Sequence, residues 1–276
     1  MADRNKALKS SISESTRALV AKLARASNGG LLDVSTASRA LDANPKTTAI
    51  KLAALVKTGW LLRAKRGLYF ILPLEATPGQ NMMSDDPWLL ANKAFAPCYI
   101  GGWSAAEYWE LTEQLFRSTL VVTAANIRTN AVKLLNHEFR LFQVEPERVS
   151  SAIKIWRGSE QVMVSDREQT IIDCLRNPEL CGGINHLTHI MLEYLVGGKA
   201  NFPTLLKKAE ATANGATWKR LGFLSELLWP KEKAIVNAAL KNLTTGYIKL
   251  DTKIRPKGTM NSRWRLWANV NINTNS

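Results

Sequence analysis

The sequence is short of the residues that build metal, redox and nucleotide sites. Its 276 residues include only three cysteines, Cys98, Cys174 and Cys181, and three histidines, His137, His186 and His189. No two cysteines form a CxxC pair and no HExxH occurs, so the usual zinc patterns are missing. Three is also an odd number for a disulfide framework, and reduced thiols in the cytoplasm are expected. His186 and His189 share an i, i+3 spacing, but no further ligand motif accompanies them. Structural or surface roles follow, and for His137, after Asn136, a surface turn. No GxxxxGK[ST] loop or GxGxxG turn is present, which removes the common phosphate-cradling motifs. No apolar run approaches the roughly eighteen residues of a membrane span. The opening "MADRNKALKSSISEST" is polar, so no signal peptide is expected.

Negative charge is scarce too. Lys and Arg number 37 against 23 Asp and Glu, a formal charge of +14. This balance favours polyanionic partners and carries no information about fold. The excess is concentrated: residues 1–75 hold thirteen Lys/Arg against five Asp/Glu.

Helical patterning fills most of that basic segment. "SESTRALVAKLARA" spaces Leu19, Val20, Leu23 and Ala24 as a helix, with Ser13 or Ser15 as N-cap and Asn28-Gly29-Gly30 as its stop. Leu31 and Leu32 predict a short extended segment, and Ser35 caps a brief helix through Leu41. Asn44-Pro45 restarts the chain as N-cap and first helical residue. Ala49, Ile50, Leu52, Ala53 and Val56 form the apolar stripe, and Gly59 ends the helix. "WLLRAK" and "GLYFIL" predict two strands joined through Arg66-Gly67. Three helices followed by a hairpin is the order of a winged helix-turn-helix.

The predicted class is α+β: a winged helix-turn-helix at residues 1–75, a polar linker at 76–83, and a larger mixed α/β domain at 84–276. In that domain "DPWLLANKAFAP", "GGWSAAEYWELT" and "DREQTIIDCLRNP" read as helices, the last capped by Asp166. "STLVVTA", "HEFRLFQVE" and "EQVMVS" read as strands. Three or four helices follow through Leu240, and "YIKL" and "RWRLWANV" close the chain as strands. The strands are short and irregularly spaced, so a doubly wound sheet is not expected.

Catalytic chemistry finds little support. "GGWS", Gly101–Ser104, has the outline of a nucleotidyl-transfer motif, but that chemistry needs paired carboxylates on the next strand to hold metal ions. "LVVTAANIR" carries none. A tight turn with Ser104 capping the helix through Trp109 accounts for it. Asp166, Glu168 and Asp173 sit on one helix, where capping and the helix dipole account for two of them. No catalytic residue, metal or cofactor is predicted.

The basic segment suggests nucleic acid. In a helix-turn-helix the second helix enters the major groove N-terminal residues foremost. Lys46, Thr47, Thr48 and Lys51 occupy that position, with Ile50, Ala53 and Ala54 directed at the core and Arg39 clamping the backbone. Arg63, Lys65 and Arg66 are displayed beside the glycine turn, where phosphates or a narrow minor groove are the natural target. Trp60, Tyr69 and Phe70 read as core. The expected partner is double-stranded DNA carrying promoter repeats. With no zipper-like stretch, the protein should be a monomer in solution that pairs on DNA. The alternative is a protein-interaction module on which the basic hairpin is incidental.

Four stretches together resemble one family. "LLRAKRGLYFI" is similar to the wing of the AbiEi-type transcriptional regulators, the antitoxins of type IV toxin–antitoxin (abortive-infection) systems, at Arg66, Gly67 and Tyr69. "YIGGWSAAEYWELT" (Tyr99–Thr112), "VMVSDREQTIIDCL" and "WKRLGFLSELL" (Trp218–Leu228) resemble later blocks of that family in the same order. The resemblance implies a repressor of its own operon and a C-terminal domain that antagonises a nucleotidyltransferase-like toxin, or an orphan regulator without one. It also implies the wing arginine at Arg66, the turn glycine at Gly67, basic residues of the groove-entering helix at Lys46 and Lys51, and structural roles for Gly101, Gly102 and Ser104. A second basic surface, Lys249, Lys253, Arg255, Lys257, Arg263 and Arg265, is expected to touch DNA or the toxin.

Overall fold

Local punctuation sets the boundaries of the N-terminal elements. The computed structural model describes residues 14–27, 30–72, 86–158, 160–255 and 258–272. Helix α1 (Glu14–Ala26) buries Val20 and Leu23, and strand β1 (Leu31–Asp33) follows. Asp33 caps α2 (Val34–Leu41) by accepting from the Thr36 N–H at 2.7 Å. Ser35 is therefore not the cap; it lies inside the helix and donates to Asp33 Oδ1 at 2.7 Å. Burial raises the Asp33 pKa, but these hydrogen bonds from Thr36 and Ser35 together outweigh it, and the net shift is downward. Asn44 caps α3 (Pro45–Lys57), accepting from Thr47 N–H at 2.9 Å, with Pro45 at the first helical position. The helix ends as the spacing predicts. Trp60 N–H reaches Leu55 O at 2.9 Å, Gly59 N–H reaches Val56 O at 3.1 Å, and Gly59 is left-handed.

Strands β2 (Leu61–Lys65) and β3 (Leu68–Ile71) form the predicted hairpin across Arg66-Gly67, and β1 pairs antiparallel on the far side of β3, giving the order β1-β3-β2. Gly67 has φ 82°, a conformation costly for any residue with a Cβ. The core beneath contains Leu23, Leu32, Leu52, Leu55, Leu61 and Tyr69, with Trp60 partly buried against it.

The chain divides into two compact units. The described residues of Met1–Ala96 group with Ala131–Phe139 and Trp156–Val162; those of Pro97–Asn130, Arg140–Ile155 and Met163–Ser276 form the other. The linker expected at 76–83 lies outside the described residues. Helix α4 (Pro87–Phe95), capped by Asp86, belongs to the first unit. Strands β4 (Cys98–Ile100), β5 (Ser118–Thr123), β6 (Ala131–Leu134), β7 (His137–Gln143), β8 (Ile153–Arg157) and β9 (Glu160–Val164) form a mixed sheet in the order β6-β7-β5-β4-β9-β8. His137, expected in a surface turn, instead opens β7 and is half-buried, because the turn is made by Leu135 and Asn136, both at positive φ. Short helices α5 (Gly102–Tyr108) and α6 (Pro146–Val149) interrupt these strands.

Helices α7 (Arg167–Arg176), α8 (Ile184–Val196), α9 (Phe202–Ala211), α10 (Gly215–Leu228) and α11 (Lys233–Lys241) follow. They enclose a core that includes Ile171, Leu187, Met191, Leu221, Trp229 and Trp264. A small sheet closes the chain: β10 (Ile248–Lys249), β11 (Thr259–Asn261) and β12 (Leu266–Ala268), in the order β10-β12-β11. Buried Arg220 ties this sheet to α7. Its guanidinium donates to Leu250 O at 2.8 Å, Lys249 O at 3.0 Å, Leu175 O at 2.9 Å and Arg176 O at 3.2 Å. Among the described residues, no helix is long and apolar enough to cross a membrane.

Candidate nucleic-acid interface

Helical geometry divides α3 into two faces. Thr48, Leu52 and Leu55, spaced i, i+4, i+7, are its buried residues. Lys46, Thr47, Ile50, Lys51, Ala53, Ala54 and Lys57 are exposed. Two expectations change places here. Thr48 is fully buried and unavailable to a phosphate, its Oγ1 without a hydrogen-bond partner among the described residues. Ile50, expected in the core together with Ala53 and Ala54, is 71% exposed. The reason is helical phase: positions 50, 53 and 54 lie across the helix from 48, 52 and 55. The outward face thus carries lysines at 46 and 51, a hydroxyl at 47, an apolar side chain at 50, and two alanines small enough for close approach.

The hairpin turn adds Arg63 and Arg66, both exposed. Lys65 behaves differently from the expected phosphate contact. Its ammonium donates to the Ala94 carbonyl in the last turn of α4 and lies 5.9 Å from the Phe95 ring centre. A helix C-terminus presents unsatisfied carbonyls that attract a cation. Arg39 is exposed on α2, with its guanidinium 3.4 Å from Thr36 Oγ1. No described partner forms an ion pair with Lys46, Lys51, Arg63 or Arg66. Between Ser15 and Leu72 the acids are Asp33 and Asp42, and Asp33 is occupied as a cap.

The second basic surface is only partly assembled. Lys249, Lys253 and Arg255 are exposed on β10 and the loop that leaves it. Arg263 pairs with Glu226 at 3.0 Å, Arg265 donates to Thr244 O at 3.0 Å, and Lys257 lies outside the described residues.

Groups that resembled catalytic machinery are occupied by the fold. Ser104 is not the N-cap; Gly101 holds that position, and the Ser104 hydroxyl inside α5 accepts from Leu120 N–H at 2.9 Å. Gly102 has φ 50°, and a Cβ there would collide with the Leu180 carbonyl. Asp166 caps α7 and pairs with Lys208 at 2.9 Å, while Glu168 accepts from the Tyr194 hydroxyl at 2.9 Å. Asp173 accepts from Tyr99 at 2.6 Å, Arg148 at 2.7 Å and Gln169 at 3.0 Å. Burial and the adjacent Asp173 push the Tyr99 phenol well above its ordinary pKa. His186 donates from Nδ1 to Cys181 O, which leaves Nε2 to accept from Thr112 at 2.7 Å; burial lowers its pKa and favours this neutral form. All three cysteines are buried thiols. No group of three or more metal-ligating side chains occurs among the described residues.

Comparison with known proteins adds a likeness of fold. No family model matches the chain, and no curated protein matches it. Among solved structures it resembles the crystal structure of RV2827C protein from Mycobacterium tuberculosis, with a TM-score of 0.57 and 16% identity, over 90% of this chain and 89% of that one. The likeness extends through both units. At this identity it is one of fold alone.

Proposed function

We propose that residues 14–72 act as a winged helix-turn-helix that lays α3 in the major groove of duplex DNA, with the Arg63–Arg66 turn on the flanking backbone. The observation that carries this reading is the set of four cations, Lys46, Lys51, Arg63 and Arg66, exposed and without a described ion-pair partner on one helix and one hairpin turn. Cations held in internal pairs would lose those partners on meeting phosphate; these have none to lose. Element order and the β1-β3-β2 sheet support the same reading. On α3, Lys46 and Thr47 are suited to base edges or phosphate, and Ile50 to a thymine methyl, which only the major groove displays.

The biological role is transcriptional repression, including repression of the protein's own promoter; the resemblance to AbiEi-type regulators supports autoregulation. Antitoxin activity of residues 84–276 against a nucleotidyltransferase-like toxin rests on that resemblance. It is tested by whether residues 84–276 alone restore growth during induction of a toxin encoded beside this gene. DNA reading is tested by mobility shift on the promoter fragment. Arg63→Ala with Arg66→Ala should weaken the shift about tenfold or more at moderate salt, since each lost phosphate contact forfeits counterion release. An unchanged shift would overturn the assignment.

A further inference from the structure

The closing sheet of the second unit has one face on the core and one in solvent. Ile248 and Leu266, register partners, face the core: Leu266 is a member of it and Ile248 packs against it. The next register row alternates to the opposite face. It runs Lys249, Trp267, Met260 across all three strands, since Lys249 pairs with Trp267 on one side and Met260 pairs with it on the other. Trp267 is 37% exposed and Met260 50%, while Tyr247, 47% exposed, precedes β10. A cation, an indole and a thioether thus stand side by side on a sheet only three strands wide.

The neighbouring loop adds charge on an ordered backbone. Leu250 N–H donates to Trp267 O at 2.9 Å, and Asn269 holds the loop by accepting from Asp251 N–H at 2.9 Å and donating to Ile254 O at 3.0 Å. Asp251, the acid in this stretch, is buried and turned to backbone N–H groups of Ile184 at 3.0 Å and Lys253 at 2.9 Å. Lys253 and Arg255 are left exposed, Lys253 with only a distant exposed pair to Glu179 at 3.9 Å.

We propose that this face binds single-stranded RNA, with unstacked bases on Trp267 and Met260 and the backbone tracked by Lys249, Lys253 and Arg255. The cations fit a polyanion. The aromatic row fits one whose base faces are free, because a duplex hides those faces in its own stack. RNA is favoured over single-stranded DNA by Thr245 and Thr252, exposed on the loops that flank β10, whose hydroxyls match the donor-and-acceptor character of the 2′-OH. The site shares no residue with α3 or the hairpin turn and does not depend on the duplex-DNA reading.

Fluorescence anisotropy of the full chain with a short mixed-sequence RNA tests it, beside the DNA strand of the same sequence and the corresponding duplex. Measurements in an Arg63→Ala/Arg66→Ala background remove the contribution of the hairpin turn. The RNA should remain bound there, more tightly than either DNA. Trp267→Ala should weaken it about tenfold, the scale of one lost base stack. Trp267→Phe should restore much of that loss, and Lys249→Glu, a surface change independent of the indole, should weaken it comparably. RNA affinity that vanishes with the two arginines, ignores both Trp267→Ala and Lys249→Glu, or is matched by single-stranded DNA would overturn the proposal. Loss of duplex binding with RNA binding intact would count only against the DNA reading.

Discussion

The N-terminal stretch from α1 to β3 and the helices of the second unit use the same kinds of cationic side chain in opposite ways. In the second unit, Arg148 binds Asp173, Lys208 binds Asp166, Lys219 donates to the Gly246 carbonyl, and Arg220 satisfies four carbonyls. On α3 and the β2–β3 turn, Lys46, Lys51, Arg63 and Arg66 meet no described acid. A charge count treats both groups alike. Partnership separates them: a cation paired within the fold holds that fold, and one left exposed is available to an outside anion. Lys65 shows that the distinction works residue by residue, since it stands beside Arg66 in sequence yet is engaged by the end of α4.

Removing Arg220 should produce the largest effect. Arg220→Met leaves four carbonyls short of a donor and should cost about 3–5 kcal/mol of stability. Burial lowers the Arg220 pKa to about 10, so the clamp stays charged at neutral pH and the loss should be constant across that range. Chemical denaturation of the variant beside the parent measures it. A loss below about 1 kcal/mol would mean that the cations of the second unit are not the structural clamps described.

The contrast sharpens at Ile50. In a duplex selected for tight binding, replacing individual thymines by uracil removes one methyl group. At the position facing Ile50 this should weaken binding about fourfold, near the ~0.8 kcal/mol of one buried methyl. Ile50→Ala should bind more weakly and lose that sensitivity. Sensitivity unchanged in the variant would remove Ile50 from the interface.

A pH dependence should separate stability from binding. His186 is neutral in the fold and its pKa is lowered by burial, so the unfolded chain takes up its proton first as pH falls. Its contribution is therefore complete above the ordinary imidazole pKa near 6.5 and declines as pH falls toward the lowered folded value. His186→Gln should flatten that part of the stability profile, read by thermal unfolding between neutral and mildly acidic pH. The smallest effect belongs to Thr48→Val, which replaces an unpartnered buried hydroxyl by a methyl of the same shape. It should be neutral to stabilising by up to about 1 kcal/mol and leave DNA affinity unchanged. Weaker DNA binding by a variant of unchanged stability would restore Thr48 to the interface.

The sequence was most informative where a single residue imposes a conformation. Asn44-Pro45, Gly59, Gly67 and Asp166 each mark a boundary that backbone geometry then follows. It was least informative where alternatives are chemically close. Asp33 and Ser35 are both good caps, and because β1 ends at Asp33 and α2 begins at Val34, the cap is Asp33. Strands β4, β6, β8 and β11 are not legible in the sequence, because three to five residues carry too little periodicity. Ile50 and Thr48 exchange places because helical phase, not hydrophobicity, decides which face of α3 is buried. Lys65 differs from Arg66 only through a helix distant in sequence.

The most direct test of the account is the salt dependence of duplex binding by the parent and by Arg63→Ala/Arg66→Ala. If these arginines lie on phosphates, the slope of log affinity against log salt should become shallower by about 0.9 for each one removed, or roughly two in all. Equal slopes for the two proteins would mean that the unpaired cations of the hairpin turn do not meet the DNA backbone, and would contradict the account.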